Sequence, residues 1–178
     1  MLGKNCNIFI FFNQILQLRC LRSYVIPDQL FIRNYLAGVV LGRSGGMIQQ
    51  LFLPFYFGVG GPVGSGKQSM PWIHLQDVVG LFEHALHNSS VTGVMNGVAP
   101  QIITNAQFAK AFAAALWRPA FMPLPTLILN LMFSEERAKI MTEGQKVRPD
   151  KAISTNYKFK YPDIESACAE FAHLFAKK

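Results

Sequence analysis

Apolar residues recur along this chain with two different spacings. Residues 38–41 form a short, continuous run rich in valine, which is typical of a strand buried in a parallel sheet. Large side chains alternate again in Trp72-Ile73-His74, which favours a second strand. After Asp77 the apolar residues return at intervals of three and four, which predicts a helix over residues 78–88 with Asp77 as its N-cap. Alternating strands and helices predict an α/β fold.

The same periodicities predict further elements. Residues 47–57 have an apolar helical pattern, in which Pro54 is expected to kink or end the helix. Thr104 and Gln107 have the spacing of a capping box, so another helix is predicted after Thr104. The remaining predicted elements are an edge strand at 93–98, a half-buried strand at 157–161, and helices from Pro125, Ser134 and Pro162.

The glycine-rich loop at 58–67 contains two spacings that occur in phosphate-binding loops. One is G-x-x-G-x-x-G, and the other, ending in Lys67, begins a P-loop. Both need a helix directly afterwards, because its N-terminal N–H groups bind the phosphate. Here Pro71 follows closely, and Gln68 stands where a P-loop has serine or threonine. We therefore predict a flexible surface turn rather than a nucleotide site.

Composition narrows the possible function classes. Apolar residues make up 51% of the chain and charged residues 15%, which indicates a packed domain. The net charge of +7 is not gathered into a lysine and arginine patch interleaved with aromatic residues, which disfavours nucleic-acid binding. A pocket for a phosphorylated ligand explains the excess of positive charge as well. The three cysteines lack metal spacing, so plain thiols and no metal site are predicted.

Residues 1–36 stand apart from the pattern that follows. They contain an apolar run at 8–12, which leaves open a signal-peptide core, a mitochondrial presequence, or a weakly packed segment that replaces a missing half. The expected location is cytoplasmic or mitochondrial, and the sequence does not choose between them. No run reaches about 18 apolar residues, so no membrane span is predicted.

Several motifs occur in an order that resembles one known family. They are Val39-Val40-Leu41-Gly42, the loop Gly60–Gly66, Trp72-Ile73-His74 followed by Asp77, Asn96-Gly97-Val98-Ala99-Pro100, Gly144-Gln145-Lys146-Val147 and Phe159-Lys160-Tyr161-Pro162. Over about residues 37–175 the chain resembles the C-terminal half of an extended, atypical short-chain dehydrogenase/reductase of the NAD(P)-dependent epimerase type. The end of the chain is similar to the small domain of unknown function that one subgroup carries.

This resemblance implies an α/β fold with a partial Rossmann-type parallel sheet and a mostly helical C-terminal substrate lobe. It divides the chain into a non-family segment at 1–36, the C-terminal part of the Rossmann-like domain at 37–100, and a small helical domain of unknown function at 101–178. It also implies NADP as the cofactor of a full-length member.

The catalytic pair of that superfamily is a tyrosine with a lysine four residues later. None of the five tyrosines has a lysine at that spacing, and the strand, glycine turn and helix that bind a dinucleotide do not occur. We therefore predict no catalytic or cofactor-binding residue and no tight NADP binding. The chain is interpreted as a truncated, inactive product. The alternative is a non-catalytic binding module that associates with itself or another chain through an exposed sheet edge.

Five residues are candidates for contact with a small-molecule substrate of unknown identity: Arg43, Lys67, Gln68, Trp72 and His74. Lys67 and Gln68 are candidates because they follow the glycine loop and suit an anion. The resemblance puts His74 near the entrance of the substrate lobe, although a lone histidine is more often structural. Glu83 and His87 are four residues apart and could share a metal, but two ligands favour a solvated pair.

Overall fold

The computed structural model describes residues 16–17, 34–43, 45–119 and 144–172. The strands in this part of the chain are β1 (Leu16–Gln17), β2 (Asn34–Ala37), β3 (Val39–Leu41), β4 (Ser69–Met70), β5 (Trp72–His74), β6 (Val94–Gly97) and β7 (Ile103–Thr104). The helices are α1 (Gly46–Tyr56), α2 (Leu75–His87), α3 (Asn105–Ala115), α4 (Asp150–Ser154) and α5 (Ile164–Ala172). The helices predicted from Pro125 and Ser134 lie outside the described residues.

Parallel pairing joins four of the described strands. β2 pairs with β6 and β3 pairs with β5, both in parallel, whereas β4 and β7 form a small antiparallel pair. Gly38 separates β2 from β3, and its N–H donates to the carbonyl of Gly97 at 3.0 Å. A Cβ at Gly38 would lie 2.7 Å from the carbonyl oxygen of Pro71, so only glycine fits this crossing. The predicted α/β fold with a parallel sheet is confirmed.

The sheet extends into the segment at 1–36 that was expected to pack weakly. β1 pairs with β2 in antiparallel orientation, with Leu16 opposite Ala37. β2 begins at Asn34 and therefore crosses the boundary predicted between residues 36 and 37. The backbone groups of these paired residues take part in the sheet, and weak packing of the segment at 1–36 stays a prediction. The other residues of 1–36 lie outside the described part of the chain.

Two apolar clusters lie on opposite sides of β5. Trp72 belongs to the larger cluster with α1, α3 and α5, and Ile73 belongs to a smaller one with α2, Met95 and Ala152. This division follows from the alternation of side chains along a strand. Cys168 lies fully buried in the larger cluster, and burial raises the pKa of its thiol to about 12. Cys168 is therefore an uncharged thiol at neutral pH, as predicted.

The predicted helices appear with local differences at their ends. α1 continues to Tyr56 with Pro54 inside it, so the proline precedes the end of the helix by two residues. The capping box before α3 is confirmed: Thr104 Oγ1 accepts from Gln107 N at 3.3 Å, and Thr104 N donates to Gln107 Oε1 at 2.7 Å. The described part of the C-terminal region is mostly helical, as predicted.

Candidate functional site

Two of the five candidate residues lie at the carboxyl ends of the parallel pair β3–β5. Leu41 is in register with His74, and Arg43 follows Leu41 by two residues. In open α/β sheets, ligands bind outside the carboxyl ends of the strands. Arg43 and His74 therefore occupy the position where this architecture places a ligand.

Glu170 on α5 links these two residues. Its Oε1 lies 3.7 Å from Arg43 Nη1, and its Oε2 lies 3.6 Å from His74 Nε2. The Arg43 and Glu170 side chains are 28% and 24% exposed, whereas that of His74 is 3% exposed. We call Arg43, Glu170 and His74 the carboxyl-end cluster.

The ring of His74 is held by contacts on several sides. Its Nδ1 accepts from the backbone N–H of Gln76 at 3.1 Å, so Nε2 carries the proton of the neutral ring. Its centroid lies 3.9 Å from that of Tyr161 and 5.3 Å from that of Phe171. Neither His74 Nε2 nor Glu170 Oε2 has a hydrogen-bond partner among the described residues, although both atoms are buried.

Burial and neighbouring charges act on the pKa of His74 in opposite directions. Desolvation is the largest effect and lowers the pKa below its ordinary value of 6.5. Glu170 and Asp77 raise it, because their negative charges favour the imidazolium, and Lys160 lowers it. The net shift is downward, so His74 is neutral near pH 7.

Asp77 has a different role from the one predicted. His74 is the N-cap of α2, and Asp77 lies in the first turn with 1% of its surface exposed. Its carboxylate accepts from the backbone N–H groups of Lys160 at 2.7 Å and Tyr161 at 3.0 Å. It also accepts from the Tyr157 hydroxyl at 3.3 Å. The predicted N-cap was wrong because these distant donors occupy the carboxylate.

The same contacts explain why the strand predicted at 157–161 is wrong. This segment is irregular in the structure. Two of its backbone N–H groups donate to the Asp77 carboxylate and not to a neighbouring strand. Its aromatic residues still pack inward, since Tyr157 and Phe159 lie against the smaller cluster. The alternation of aromatic residues and lysines in this segment therefore predicted correctly which side chains are buried. It did not show that the backbone binds Asp77 rather than a neighbouring strand.

The glycine loop is packed, contrary to the prediction of a flexible surface turn. Gly60, Gly61, Val63 and Gly66 are buried. Val63 N donates to the side-chain oxygen of Asn105 at 2.7 Å. The first N–H groups of α3 donate to loop carbonyls: Asn105 N to Gln68 O at 3.0 Å, and Ala106 N to Gly66 O at 2.9 Å.

The loop therefore does not fit a dinucleotide. A pyrophosphate at a helix N-terminus needs N–H groups that point at it, and here the loop itself occupies them. The Gln68 side chain donates to Val63 O at 2.9 Å, and this hydrogen bond within the loop stabilises its conformation. Lys67 is exposed on the same loop.

Trp72 belongs to the core. It is 1% exposed, and its Nε1 donates to the carbonyl oxygen of Gln101 at 3.2 Å. Of the five candidates, Arg43 and His74 share a carboxylate, Lys67 and Gln68 lie on the packed loop, and Trp72 supports the core. Sequence reasoning missed Glu170 and Tyr161, because nothing in the spacing along the chain joins residue 170 to residues 43 and 74.

A shallow cavity of about 540 Å³ lies beside α2. It is lined by Gly80, Glu83, His84, His87, Asn88 and Tyr157. His84 Nε2 lies 3.0 Å from Thr155 Oγ1, and His87 Nδ1 lies 3.0 Å from the carbonyl oxygen of Glu83. Within the ranges that the structure describes, no three histidine, cysteine or acidic side chains converge to hold a metal. No helix in those ranges is long and apolar enough to cross a membrane.

Comparison with known proteins finds relatives over most of the chain. Residues 124–171 match the family described as a domain of unknown function, DUF1731. The cattle protein named epimerase family protein SDR39U1 is 49% identical over 143 residues, which are 80% of this chain and 48% of that protein. The Arabidopsis thaliana homolog, named as chloroplastic, is 38% identical over 73% of this chain and 37% of that protein.

A solved relative supports the same assignment. The crystal structure of human epimerase family protein SDR39U1 (isoform2) with NADPH matches with a TM-score of 0.75 and 47% identity, over 79% of this chain and 48% of that one. This chain spans about half the length of the curated relatives it matches. The predicted resemblance is therefore confirmed: over its matched residues the chain is similar to epimerase family proteins, and residues 124–171 match DUF1731.

Proposed function

We propose that this chain supplies the substrate side of an NADP-dependent, epimerase-family oxidoreductase and does not transfer hydride by itself. The observation that carries this proposal is the carboxyl-end cluster, in which Arg43, Glu170 and His74 meet where parallel sheets bind ligands. NADPH in the crystal structure of the human relative supports NADP as the cofactor of a full-length protein. The substrate is a small molecule with an anionic group.

The absence of hydride transfer rests on the chemistry of the tyrosines. A tyrosine that acts as acid and base needs a pKa brought down toward neutrality by a nearby cation. Burial and Asp77 instead raise the pKa of Tyr157, and burial and Glu170 raise that of Tyr161. Neither has a lysine four residues later, and the same holds for Tyr24, Tyr35 and Tyr56.

Calorimetric titration with NADPH, together with an assay of NADPH oxidation, tests this proposal. We expect no oxidation, and binding that is weak and falls as salt rises, because exposed cations alone attract the phosphates. Arg43→Ala should weaken this binding more than Lys158→Ala, a matched change at an exposed lysine outside the cluster. Micromolar affinity that is insensitive to salt would overturn the proposal.

A second candidate function is a binding module that associates through a sheet edge. β6 ends the three-stranded sheet β1-β2-β6 in the described part of the chain, and edge strands pair readily with other strands. Sedimentation at increasing concentration tests this function. A monomer at all concentrations would argue against self-association through the edge.

A further inference from the structure

We propose that α2 binds α2 of a second copy of this chain in an antiparallel, twofold-symmetric contact. The contact consists of an apolar stripe along α2 and of ion pairs between Glu83 of one copy and Lys160 of the other. This surface includes no residue of the carboxyl-end cluster and none of β6. The inference therefore does not rest on the proposed function, and it differs from association through the edge of the sheet.

α2 has an exposed apolar face besides the one that it buries. Leu81 and Ala85 are each 1% exposed and belong to the smaller apolar cluster. Leu75, Val79 and Leu86 are instead 45%, 59% and 77% exposed. Since successive residues of a helix are turned by about 100°, these three side chains point within about 40° of one another. They form one exposed stripe, and an apolar surface of this kind marks a site of association.

The spacing of this stripe reads the same in both directions along the helix. Phe82, which is half-buried against the smaller cluster, lies in line with the exposed residues. The stripe positions are 75, 79, 82 and 86, at intervals of four, three and four. In an antiparallel pair, Leu75 therefore lies opposite Leu86 of the second copy, and Val79 lies opposite Phe82. This symmetry suits a contact in which the same patch serves both identical chains.

Two charged side chains lie on one flank of the stripe. Lys160 Nζ donates to Gln76 Oε1 at 2.6 Å, which holds the ammonium group beside the first turn of α2. Glu83 is exposed, and neither Glu83 nor Lys160 has an ion pair among the described residues. Gln76 and Glu83 are seven residues apart, so they share a side of the helix but lie about 10 Å apart along it.

Antiparallel packing brings these two charges together. The midpoint of the stripe lies between residues 80 and 81. With a rise of about 1.5 Å per residue, Glu83 lies about 4 Å beyond the midpoint and Gln76 lies about 7 Å before it. Reversal of the second helix brings its Gln76, and with it Lys160, within about 3 Å of Glu83 along the axis. The twofold axis places the same flanks face to face and repeats this pair, so the charges are complementary to those of a second copy.

Sedimentation equilibrium of the whole chain tests the inference. We expect the unmodified chain to shift from monomer to dimer as its concentration rises. Val79→Lys places a charge opposite Phe82 of the second copy, and burial of an unpaired charge should raise the dimer dissociation constant at least about tenfold. Val94→Lys is the matched control, because Val94 is a 49% exposed valine of β6 outside the stripe. This control should leave the dissociation constant unchanged.

Charge reversal tests the ion pairs themselves. Glu83→Lys and Lys160→Glu each bring like charges together in a homodimer, which should weaken it about tenfold. An equimolar mixture of the two variants should dimerise as the unmodified chain does, because both contacts of the mixed dimer join opposite charges again. A role of these residues in support of the fold alone would not produce this recovery.

Three outcomes would overturn the inference. The unmodified chain stays monomeric at all concentrations, Val79→Lys dimerises as the unmodified chain does, or the mixture of charge variants associates no better than either variant alone. A dimer lost in Val94→Lys and kept in Val79→Lys would assign the contact to the edge of β6. The first measurement needs no variant, so the test does not depend on whether the variants fold. Failure of the proposed function is distinguishable, because it is read from NADPH binding and oxidation.

Discussion

Asp77 and Glu170 are two carboxylates near the end of β5, and their surroundings differ. Asp77 is buried and accepts from two backbone N–H groups and a hydroxyl. Glu170 is partly exposed, and its Oε2 has no hydrogen bond among the described residues. A carboxylate whose oxygens are all engaged holds segments together. A carboxylate that lies at long distance from one cation and a neutral imidazole holds its neighbours less firmly, so the two residues should differ in what their replacement disturbs.

The largest expected effect comes from Asp77→Ala. It removes the acceptor of the partly buried N–H groups of Lys160 and Tyr161, and a hydrogen bond to a charged group contributes about 1.5–3 kcal/mol. We expect the free energy of unfolding in urea to fall by about 3 kcal/mol. Asp150→Ala is the control, because Asp150 is 74% exposed in its ion pair and should cost under about 1 kcal/mol. Similar losses in both variants would show that Asp77 is not a structural link.

Gly80→Ala should be the next most damaging change. A Cβ at Gly80 would meet the hydroxyl of Tyr157, the group that donates to Asp77. Overpacking of this kind costs about 1–3 kcal/mol of unfolding free energy. In a Tyr157→Phe background the same change should cost less, since the colliding oxygen is gone. Additive effects in this double-mutant cycle would mean that the two residues are not coupled.

Glu170→Gln should change stability little, in contrast to Asp77→Ala. Its ion pair with Arg43 is long and partly exposed, and pairs of this kind contribute under about 1 kcal/mol. The midpoint of urea unfolding should stay close to that of the unmodified chain. A loss as large as that of Asp77→Ala would remove the distinction between the two carboxylates.

The smallest expected effect is a pH dependence of stability due to His74. Because its pKa is lower in the folded chain than the ordinary 6.5, the unfolded chain takes up the proton first as pH falls. Stability contributed by neutral His74 is therefore present above pH 6.5 and is lost between that value and the lower folded pKa. Urea unfolding across this range should show a weaker loss in His74→Asn, whereas His87→Asn, at an exposed histidine, should retain it.

Local patterns in the sequence predicted much of this fold. The periodicity located α1, α2 and α3, and the valine-rich and alternating runs located β3 and β5. The order of motifs predicted the resemblance to epimerase family proteins, which the comparisons confirm. Each helix, strand and motif depends on residues that are close together in the chain, so the spacing of those residues is enough to predict it.

The contacts that build the site join distant parts of the chain. Asp77 binds the backbone of residue 160, which is 83 positions away, and an N-cap pattern contains no information about that partner. Nothing in the helical pattern around Glu170 distinguishes it from other polar residues of α5. Only the packing of α5 brings it close to Arg43 and His74. The glycine loop looked mobile because its residues favour turns, but α3 supplies donors to its carbonyls.

The change of partner at Gly38 has a consequence for how the domain opens. The run 34–41 pairs with β1 and β6 in its first half and with β5 in its second. Exposure of its amide protons to exchange with solvent therefore requires two separate openings, one on each side of Gly38. Since local openings in a protein differ in free energy, residues 34–37 and 39–41 should exchange as two groups with their own rates.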